Sequence, residues 1–368
     1  MTRTIVIAAG GTGGHLFPAA AFATEMKARG WRVALMTDAR GRRYAEGFPA
    51  DEIEDTPSAT IQSRNPFVMI AAALTIWRGI GAAKRRLRAL DPALVAGFGG
   101  YPALPACWAA RAQRRPILIH EQNAVLGRVN RHFARSAAAV ACAFERLDRL
   151  PRGVAKIVTG NPVRPPILAA RAAPYPNAAP GARLNILVIG GSQGARLFGD
   201  VVPEAIALLP AELRARLAIV QQARPEQVAE TRAAYEAINV AADIAPFFTD
   251  MGEKLAAAHL VISRAGASSV TELQVAGRPA ILIPLAIAAD DHQSANADGL
   301  AQVGAADVIA ERAFTPQALG AALKQRLENA HDLTVRASAA RAAGKPDAAK
   351  ALADVAEATA AGSHGLSV

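Results

Sequence analysis

The chain has little of what secreted and membrane-spanning proteins need. Its 368 residues include only two cysteines, Cys107 and Cys142, in apolar surroundings without the spacing of a metal site. The longest apolar stretch, Phe67 to Trp77, is about half as long as a transmembrane helix requires. The apolar run at the N-terminus breaks at Gly10, too early for a secretory signal. These absences predict a cytosolic chain with reduced thiols and no transmembrane segment.

Two signatures of nucleotide and metal chemistry are also absent. Asp38 ends the second predicted strand, where dinucleotide-binding enzymes hold a ribose. Neither glycine-rich loop fits the G-x-G-x-x-G pattern of those enzymes, because Leu16 stands where the first loop would need its third glycine. This argues against a dehydrogenase. No Asp-x-Asp motif occurs, and we therefore expect no metal in the chemistry and no cofactor.

Positive charge is concentrated in the first half of the chain. The net charge is +10, and residues 1–163 hold 23 Lys and Arg against 11 Asp and Glu, whereas the remaining residues hold 18 against 20. Such an imbalance favours an anionic partner, either nucleic acid or the inner face of a membrane. For any single arginine cluster, a solvated helix face is the default interpretation.

Two stretches share the pattern of an apolar strand, a glycine-rich turn and the start of a helix. The first runs from Thr4 to Pro18 and the second from Asn185 to Phe198. Glycines let the turn approach a ligand closely, and the free N–H groups of the helix that follows attract a phosphate. Strands and helices alternate after each stretch, which predicts an α/β fold of two Rossmann-like domains facing across a ligand cleft.

A stretch rich in Pro and Ala, which follows Gly160 to Arg164, marks the predicted domain boundary. We expect an N-terminal domain over residues 1–163, a linker over 164–182 and a C-terminal domain over 183–345. Residues 346–368 are expected to form a C-terminal helix and tail.

Polar clusters follow predicted strands in both domains, where open α/β sheets bind ligands. Residues 120–123, HEQN, follow the strand that begins at Ile117, although Asn123 could instead only cap the next helix. Glu272 lies about two turns into a helix that begins with small residues, and its carboxylate could accept two ribose hydroxyls. Residues 290–296 contain acids, a histidine and amides that could hold a sugar or, weakly, a metal ion.

Residues 66–90 combine an apolar stripe with a basic cluster. Phe67, Leu74 and Trp77 recur at helical spacing. The basic residues that follow on the next turns are Lys84, Arg85, Arg86 and Arg88. This combination is typical of a helix at an anionic lipid surface. A helix that packs its stripe on the sheet of its own domain would show the same pattern, and both interpretations stay open.

Seven separated motifs occur in a fixed order across nearly the whole chain: GGTGGH, GGYPALP, HEQN, GNPVR, GGSQGA, RAGA and DDHQSAN. Together they resemble the MurG family, the bacterial glycosyltransferases that make lipid II. The resemblance implies the GT-B arrangement of two Rossmann-like domains. It implies transfer of N-acetylglucosamine from UDP-N-acetylglucosamine to the 4-hydroxyl of the muramyl sugar of lipid I, with inversion at the anomeric carbon.

The resemblance also implies where these enzymes act. The reaction belongs to peptidoglycan synthesis, and so to cell shape and division, at the cytoplasmic face of the cell membrane. The acceptor and the membrane lie on the side of the N-terminal domain and the UDP-sugar donor on the side of the C-terminal domain. The implied partners are UDP-N-acetylglucosamine, lipid I, an anionic membrane surface and other cell-wall synthesis proteins, and not nucleic acid.

The resemblance assigns residues to three roles. His15 is the candidate general base, although it could equally bind a phosphate or cap the helix. The residues implied at the donor or at a diphosphate are Thr12, Gly13, Gly14, Asn123, Arg164, Ser192, Phe248, Ala267, Ser268, Ser269, Val270, Thr271, Glu272 and Gln293. Of these, Thr12, Gly13 and Gly14 are implied at the diphosphate of either the donor or the acceptor. The implied membrane patch is Phe67, Leu74, Trp77 and Trp108.

Within the donor set, Arg164 and Ser192 are implied to hold the phosphates, Glu272 the ribose and Gln293 the sugar hydroxyls. The chain departs from the family pattern at Ala103, where the family often has Ser, so that hydroxyl contact is absent. Two other functions remain open at this point. An epimerase would turn over UDP-N-acetylglucosamine without an acceptor, and a membrane-bound sensor would bind the donor and release nothing.

Overall fold

Two compact α/β units make up the chain. The computed structural model describes residues 2–11, 13–43, 45–60, 65–191 and 194–362. The first unit, the N-terminal domain, comprises Met1–Arg164 together with Asp347–Val368, and the second, the C-terminal domain, comprises Pro165–Pro346.

The described part of the N-terminal domain contains a seven-stranded parallel sheet. Its strands are β1 (Thr4–Ala8), β2 (Arg32–Thr37), β3 (Glu52–Asp55), β4 (Leu94–Gly97), β5 (Ile117–Glu121), β6 (Ala139–Cys142) and β7 (Ile157–Val158), in the order β3-β2-β1-β4-β5-β6-β7. Its helices are α1 (Gly13–Ala28), α2 (Ala39–Arg42), α3 (Pro66–Leu90), α4 (Gly100–Ala112), α5 (Arg128–Phe133) and α15 (Ala348–Ala360).

Strand β1 is buried along its whole length because helices cover both faces of the sheet. Ile5 and Ile7 belong to one core cluster, and Val6 and Ala8 belong to another. Alternate residues of a strand point to opposite faces, so the two clusters form the cores on the two sides of this sheet.

The described part of the C-terminal domain repeats this design with six parallel strands. They are β8 (Leu184–Ile189), β9 (Leu217–Gln222), β10 (Ala241–Ala245), β11 (Leu260–Ser263), β12 (Ala280–Leu282) and β13 (Ala306–Val308), in the order β10-β9-β8-β11-β12-β13. The helices are α6 (Pro165–Ala172), α7 (Arg196–Ala207), α8 (Ala211–Arg214), α9 (Val228–Ala237), α10 (Met251–Ala257), α11 (Ala267–Ala276), α12 (His292–Gln302), α13 (Pro316–Leu327) and α14 (Ala330–Ala343). Short 3₁₀ helices span Pro225–Gln227, Ala289–Asp291 and Glu311–Ala313.

In both sheets the strand order reverses direction at the first strand. The neighbours of β1 are β2 and β4, and the neighbours of β8 are β9 and β11. This is the strand order of doubly wound, Rossmann-like domains, in which ligands bind where the order reverses. The predicted α/β class with two Rossmann-like domains is therefore confirmed.

The predicted linker contains a helix of the C-terminal domain. Helix α6 packs against α10 and α11 and buries Ile167 completely. A β-carbon at Gly252 of α10 would lie only 2.4 Å from the Pro166 carbonyl oxygen, which shows how closely these helices approach. Pro165 and Pro166 occupy the first turn of the helix, where a missing N–H costs nothing. The sequence composition therefore suggested a linker where the structure has an ordered element.

The C-terminal helix α15 is part of the N-terminal domain, not a separate appendage. Leu352 and Ala356 are fully buried in the same core cluster as Phe22 of α1. At the rim of this contact, the Trp31 indole N–H donates to Glu357 (3.0 Å) and Arg29 pairs with the same carboxylate (2.7 Å). The last helix of the chain therefore completes the core of the first domain.

We expect Leu352→Ala to lower the stability of the N-terminal domain by about 2–5 kcal/mol, because a buried leucine leaves a cavity when truncated. All three tryptophans, Trp31, Trp77 and Trp108, lie in this domain, so tryptophan fluorescence during urea unfolding reports on it alone. The control is Leu208→Ala, at an exposed leucine of the C-terminal domain. Unchanged unfolding of the Leu352→Ala variant would mean that α15 does not stabilise this domain.

Candidate functional site

Loops from four strands meet at the carboxyl edge of the N-terminal sheet. The Gly11 N–H, after β1, donates to Asp38 Oδ1 after β2 (3.1 Å). The Tyr101 hydroxyl, in the first turn of α4 after β4, donates to Asp38 Oδ2 (2.8 Å). The His15 ring, in the first turn of α1, bonds through Nδ1 to Gln122 Oε1 after β5 (2.8 Å). Parallel pairing brings these chain segments to one place although up to 107 residues separate them.

Asp38 holds two glycine loops together. Its side chain is 6% exposed, and besides Gly11 and Tyr101 it also accepts from the Gly41 N–H (2.9 Å), which caps α2. The carboxylate therefore binds three donors of its own domain. In dinucleotide-binding enzymes an acid at this position binds a ribose. Here both oxygens are occupied by protein, which supports the prediction from sequence that the chain is not a dehydrogenase.

The His15 ring lies beside a glycine that leaves it room. Gly100 has φ +68°, a conformation that side chains rarely adopt. A β-carbon at this position would lie 3.3 Å from His15 Cδ2 and 3.3 Å from His15 Nε2. The glycine therefore keeps a side chain of α4 away from the Nε2 edge of the ring.

Glu121 organises the HEQN turn. The carboxylate is buried, and Oε1 accepts from the backbone N–H and the side-chain amide of Asn123 (3.0 and 3.1 Å). Its Oε2 accepts from the Gly127 N–H and from the Asn130 amide (2.9 and 2.8 Å). The next helix begins at Arg128 with Gly127 as its N-cap, so the suggestion that Asn123 caps it is wrong. Asn123 is instead held in place by an acid that the sequence did not single out.

Arg164 lies next to the first turn of α1. Its guanidinium stacks on the Phe17 ring, 4.5 Å from the centroid, and a β-carbon at Gly13 would lie 2.8 Å from the same ring. Gly14 is exposed in that turn. The positive charge of Arg164 therefore lies close to a helix N-terminus, where both favour an anion. Thr12, which the resemblance placed at a diphosphate, lies outside the described residues.

The second glycine loop follows β8 in the C-terminal domain. The Gly190 N–H donates to Gln222 Oε1 at the end of β9 (3.2 Å), and Gln222 donates in turn to the Pro246 carbonyl (3.1 Å). Gly191 has φ +85°. Ser192 lies outside the described residues. Gln222 fixes the start of this loop, and no motif had pointed to it.

Arg264 has a structural partner that the sequence did not reveal. Its side chain is buried and donates to the Ile283 carbonyl (3.3 Å) and to Glu311 Oε1 (3.2 Å). Glu311 Oε2 accepts from the Ala286 N–H (2.7 Å). Burial opposes ionisation of Glu311, but the Ala286 N–H and the Arg264 guanidinium outweigh it and lower the pKa of this carboxyl. The arginine before the RAGA glycine therefore anchors the loop after β12.

Two predicted sugar-binding amides also make contacts inside the protein. Gln293 Oε1 accepts from the Leu285 N–H (3.0 Å), and Asn296 donates to the Ala265 carbonyl (3.1 Å) from a fully buried position. These bonds hold the loops that precede α12 and α11. Across the described residues, no group of three or more His, Cys, Asp or Glu side chains is placed to hold a metal ion, and residues 290–292 are no exception.

The predicted nucleotide segment, residues 267–272, contributes only part of its surface. Ala267 is buried at the first turn of α11, whereas Ser268, Ser269 and Glu272 are half-buried. Val270 is fully buried, and the Thr271 hydroxyl donates back to the Ala267 carbonyl (2.8 Å). The side chains of Val270 and Thr271 therefore face the domain interior, and their place at the nucleotide stays a prediction. The Phe248 side chain is also buried, with Lys254 5.3 Å from its ring centroid.

Helix α3 exposes an apolar surface. Phe67 is 80% and Trp77 is 73% exposed, and Leu74 is also exposed, whereas Trp108 of α4 is 37% exposed. The other large apolar side chains exposed on α3 are Val68, Met69 and Ile70. We call these seven side chains the apolar patch. The stripe of α3 therefore does not pack on its own sheet.

The C-terminal half of α3 is attached to the domain. Ala83 and Leu87 are buried in the core cluster that includes Ala106 of α4. Arg86 pairs with Glu52 and with Glu54 (2.8 Å) of β3, so its charge is balanced within the protein. By length and composition, Pro66–Leu90 could cross a membrane, and 17% of its most apolar window is buried. The sequence-based expectation of no transmembrane segment considered only residues 67–77, whereas helix α3 is 25 residues long.

Both domains match one enzyme family. The Glycosyltransferase family 28 N-terminal domain matches residues 5–142, and the Glycosyltransferase family 28 C-terminal domain matches residues 185–352. A protein of Maricaulis maris (strain MCS10) is 54% identical over 353 residues, which cover 95% of this chain and 96% of that protein. Its name is UDP-N-acetylglucosamine--N-acetylmuramyl-(pentapeptide) pyrophosphoryl-undecaprenol N-acetylglucosamine transferase. The chain belongs to the MurG family.

Solved structures agree with this membership. The crystal structure of Acinetobacter baumannii MurG is 34% identical, covers 97% of this chain and 99% of that chain, and has a TM-score of 0.78. A putative UDP-N-acetylglucosamine 2-epimerase from Listeria monocytogenes shares the fold, with a TM-score of 0.67 over 97% of this chain and 96% of that chain, but is only 16% identical. The second likeness shows the GT-B fold alone. The MurG resemblance seen in the seven motifs is therefore confirmed.

We expect Asp38→Asn to lower the pKa of Tyr101. Burial, the hydrogen bond to Asp38 and the charge of this carboxylate raise the pKa of Tyr101 in the wild type. The contribution of that bond to stability is therefore fully present below the ordinary tyrosine pKa and is lost as the pH rises through the raised value. Ultraviolet absorbance titration, with Tyr101→Phe to identify the Tyr101 component, measures the change. An identical Tyr101 titration in Asp38→Asn would contradict the bond.

Proposed function

We propose that this chain transfers N-acetylglucosamine from UDP-N-acetylglucosamine to the 4-hydroxyl of the muramyl sugar of lipid I, with inversion, and so forms lipid II. The observation that carries the proposal is the 54% identity over nearly the full length to a transferase of that name. Two glycine loops, one in each domain and each followed by a helix, support it because the donor and acceptor each contain a diphosphate.

The acceptor chemistry is assigned to the carboxyl edge of the N-terminal sheet. Inverting transfer requires a base that removes the proton of the attacking hydroxyl. His15 is the proposed base, since Gly100 leaves room beside its ring and Gln122 orients it. Gly13 and Gly14 are proposed to offer N–H groups to the diphosphate of the donor or of the acceptor, and Arg164 to offer positive charge to the donor's phosphates. Thr12 and Asn123 are also proposed to contact the substrates.

The donor is assigned to the carboxyl edge of the C-terminal sheet. Ser192 and the loop around it are proposed to bind phosphate, and Glu272 to accept the ribose hydroxyls. The start of α11, Ala267 to Ser269, offers backbone N–H groups. Gln293 could contact the sugar in two ways. It could use its amide NH₂ group while Oε1 keeps the bond from the Leu285 N–H, or it could exchange that bond for one to the sugar. For Phe248, only a backbone contact with the uracil fits, because its side chain is buried.

The function is tested by UDP release from UDP-N-acetylglucosamine, with and without a short-chain lipid I analogue. We expect UDP release only with the acceptor, because UDP departs when the acceptor hydroxyl attacks the anomeric carbon. The lack of an Asp-x-Asp motif predicts the same rate in EDTA. Turnover of the sugar nucleotide without acceptor would indicate an epimerase, and binding without any turnover would indicate a sensor. Either result would overturn the proposal.

We also propose that the apolar patch binds the cytoplasmic face of the cell membrane. Three observations support a surface attachment by α3. Its N-terminal half is exposed, its C-terminal half is anchored in the domain, and Arg78, Arg85 and Arg88 are exposed along it. An apolar face beside basic residues suits an anionic interface. Contacts with other cell-wall synthesis proteins stay a prediction from the resemblance.

We expect Phe67→Glu combined with Trp77→Glu to release the protein from anionic vesicles. Burying one such aromatic side chain is worth about 1.5–3 kcal/mol, so the affinity should fall by about tenfold or more. Co-sedimentation with phosphatidylglycerol vesicles measures this. The matched control is Leu208→Glu with Val335→Glu, at two exposed apolar side chains of the C-terminal domain. Equal co-sedimentation of both double variants would exclude the apolar patch as the attachment site.

A further inference from the structure

A continuous chain of hydrogen bonds runs from the His15 ring into the core of the N-terminal domain. His15 Nδ1 bonds to Gln122 Oε1 (2.8 Å), Gln122 Nε2 bonds to His120 Nδ1 (3.1 Å), and His120 Nε2 bonds to the Gly160 carbonyl (3.0 Å). Gln122 Nε2 also donates to the His120 carbonyl (3.0 Å). Both backbone carbonyls can only accept, so they determine where the protons of this chain lie.

The deeper carbonyl determines the state of His120. The Gly160 oxygen accepts, so His120 Nε2 carries a proton. The ring is 1% exposed. Burial disfavours the charged imidazolium and, despite the Gly160 bond, lowers the pKa of His120 to about 4. At neutral pH the ring is therefore uncharged, and its Nδ1 carries a lone pair and accepts.

The second carbonyl determines the orientation of the Gln122 amide. The NH₂ group faces two acceptors, the His120 carbonyl oxygen and the His120 Nδ1 lone pair. A flipped amide would place Oε1 against both, which is repulsive in a site that excludes water. Oε1 therefore faces His15 and can only accept. His15 must donate to it from Nδ1, which leaves the lone pair of the neutral ring on Nε2.

We propose that Gln122 and His120 are positioning residues that hold His15 in the tautomer required of a general base. This inference rests on the proposed base role of His15. In the transfer step, Nε2 takes the proton of the acceptor hydroxyl while the hydroxyl oxygen bonds to the anomeric carbon. The bond from that carbon to the UDP oxygen breaks, and its electron pair leaves with UDP. His15 becomes an imidazolium whose Nδ1 proton still donates to Gln122.

The arrangement explains two sequence motifs together. HEQN supplies His120 and Gln122, and GNPVR supplies the Gly160 carbonyl that ends the chain of bonds. Gly100, in the GGYPALP motif, places no side chain against the Nε2 edge of His15. A tautomer fixed by the group behind the ring is the same physical requirement that a catalytic histidine meets in hydrolases.

The direct test is the proton position on each ring in the wild-type chain. The full-length protein, with ¹⁵N-labelled histidine, is measured by long-range ¹⁵N–¹H NMR at neutral pH, which separates protonated from unprotonated ring nitrogens. His15→Gln and His120→Gln identify the two signals among seven histidines. We expect His15 to be protonated on Nδ1 and His120 on Nε2. A His15 protonated on Nε2 would overturn the inference without any functional assay.

The functional test is Gln122→Met, which keeps the size of the side chain and removes the acceptor. A general base contributes about 10²–10⁴-fold to rate, and loss of its fixed tautomer should lower kcat by about ten- to a hundredfold. The KM values for both substrates should stay within about twofold, because the amide does not bind substrate. The NMR signal of His15 should change to a mixture of tautomers.

The matched control is Gln113→Met. Gln113 is a half-buried glutamine of the same domain that donates to the Lys84 carbonyl (2.7 Å) and lies outside the carboxyl-edge loops. We expect wild-type kcat and an unchanged His15 signal. UDP binding and thermal unfolding of Gln122→Met show whether a low kcat comes from misfolding, and the tautomer measurement on the wild-type protein does not depend on the folding of this variant.

The outcomes separate this inference from the function on which it rests. Transfer that survives His15→Ala would overturn the base role and the inference with it. Loss of transfer in His15→Ala, together with wild-type kcat in a folded Gln122→Met protein, would overturn only the positioning role. A wild-type protein with no transfer to the lipid I analogue would overturn the proposed function, while the NMR result would still decide the proton positions.

Discussion

Parallel strand pairing is the constraint on which both domains depend. It places the carboxyl end of every strand at one edge of its sheet, so loops that are far apart in sequence meet there. The strand order reverses at β1 and at β8, and each of these strands is followed by a glycine loop. Each glycine loop therefore lies between the loops that follow the two neighbouring strands. The contacts of Asp38, His15 and Gln222 all arise from this geometry.

Carboxylates hold the shapes of the edge loops. Asp38 accepts from the N–H groups of Gly11 and Gly41, Glu121 from that of Gly127, and Glu311 from that of Ala286. A charged acceptor strengthens each bond, and burial makes its loss costly. These three carboxylates therefore bind groups of the protein itself.

Helix α3 follows a different rule from the other helices of the N-terminal domain. Its first half exposes large apolar side chains, while its second half shares a core with α4. Large contiguous apolar patches are rare on soluble surfaces and mark interaction sites. The element is therefore part of the domain and also the proposed surface for attachment to a membrane. The ion pairs of Arg86 with Glu52 and Glu54 join its C-terminal half to β3.

The sequence by itself determined the two α/β domains, the glycine loops and the family. These follow from local rules, because hydrophobic periodicity, glycine conformations and ordered motifs are properties of neighbouring residues. Only the tertiary structure decided the docking of α15 on the first domain, the partners of Asp38 and Arg264, and the burial of Val270 and Thr271. It also decided which nitrogen of His15 faces Gln122. Each of these depends on contacts between distant segments, and no local pattern records which distant donor meets which acceptor.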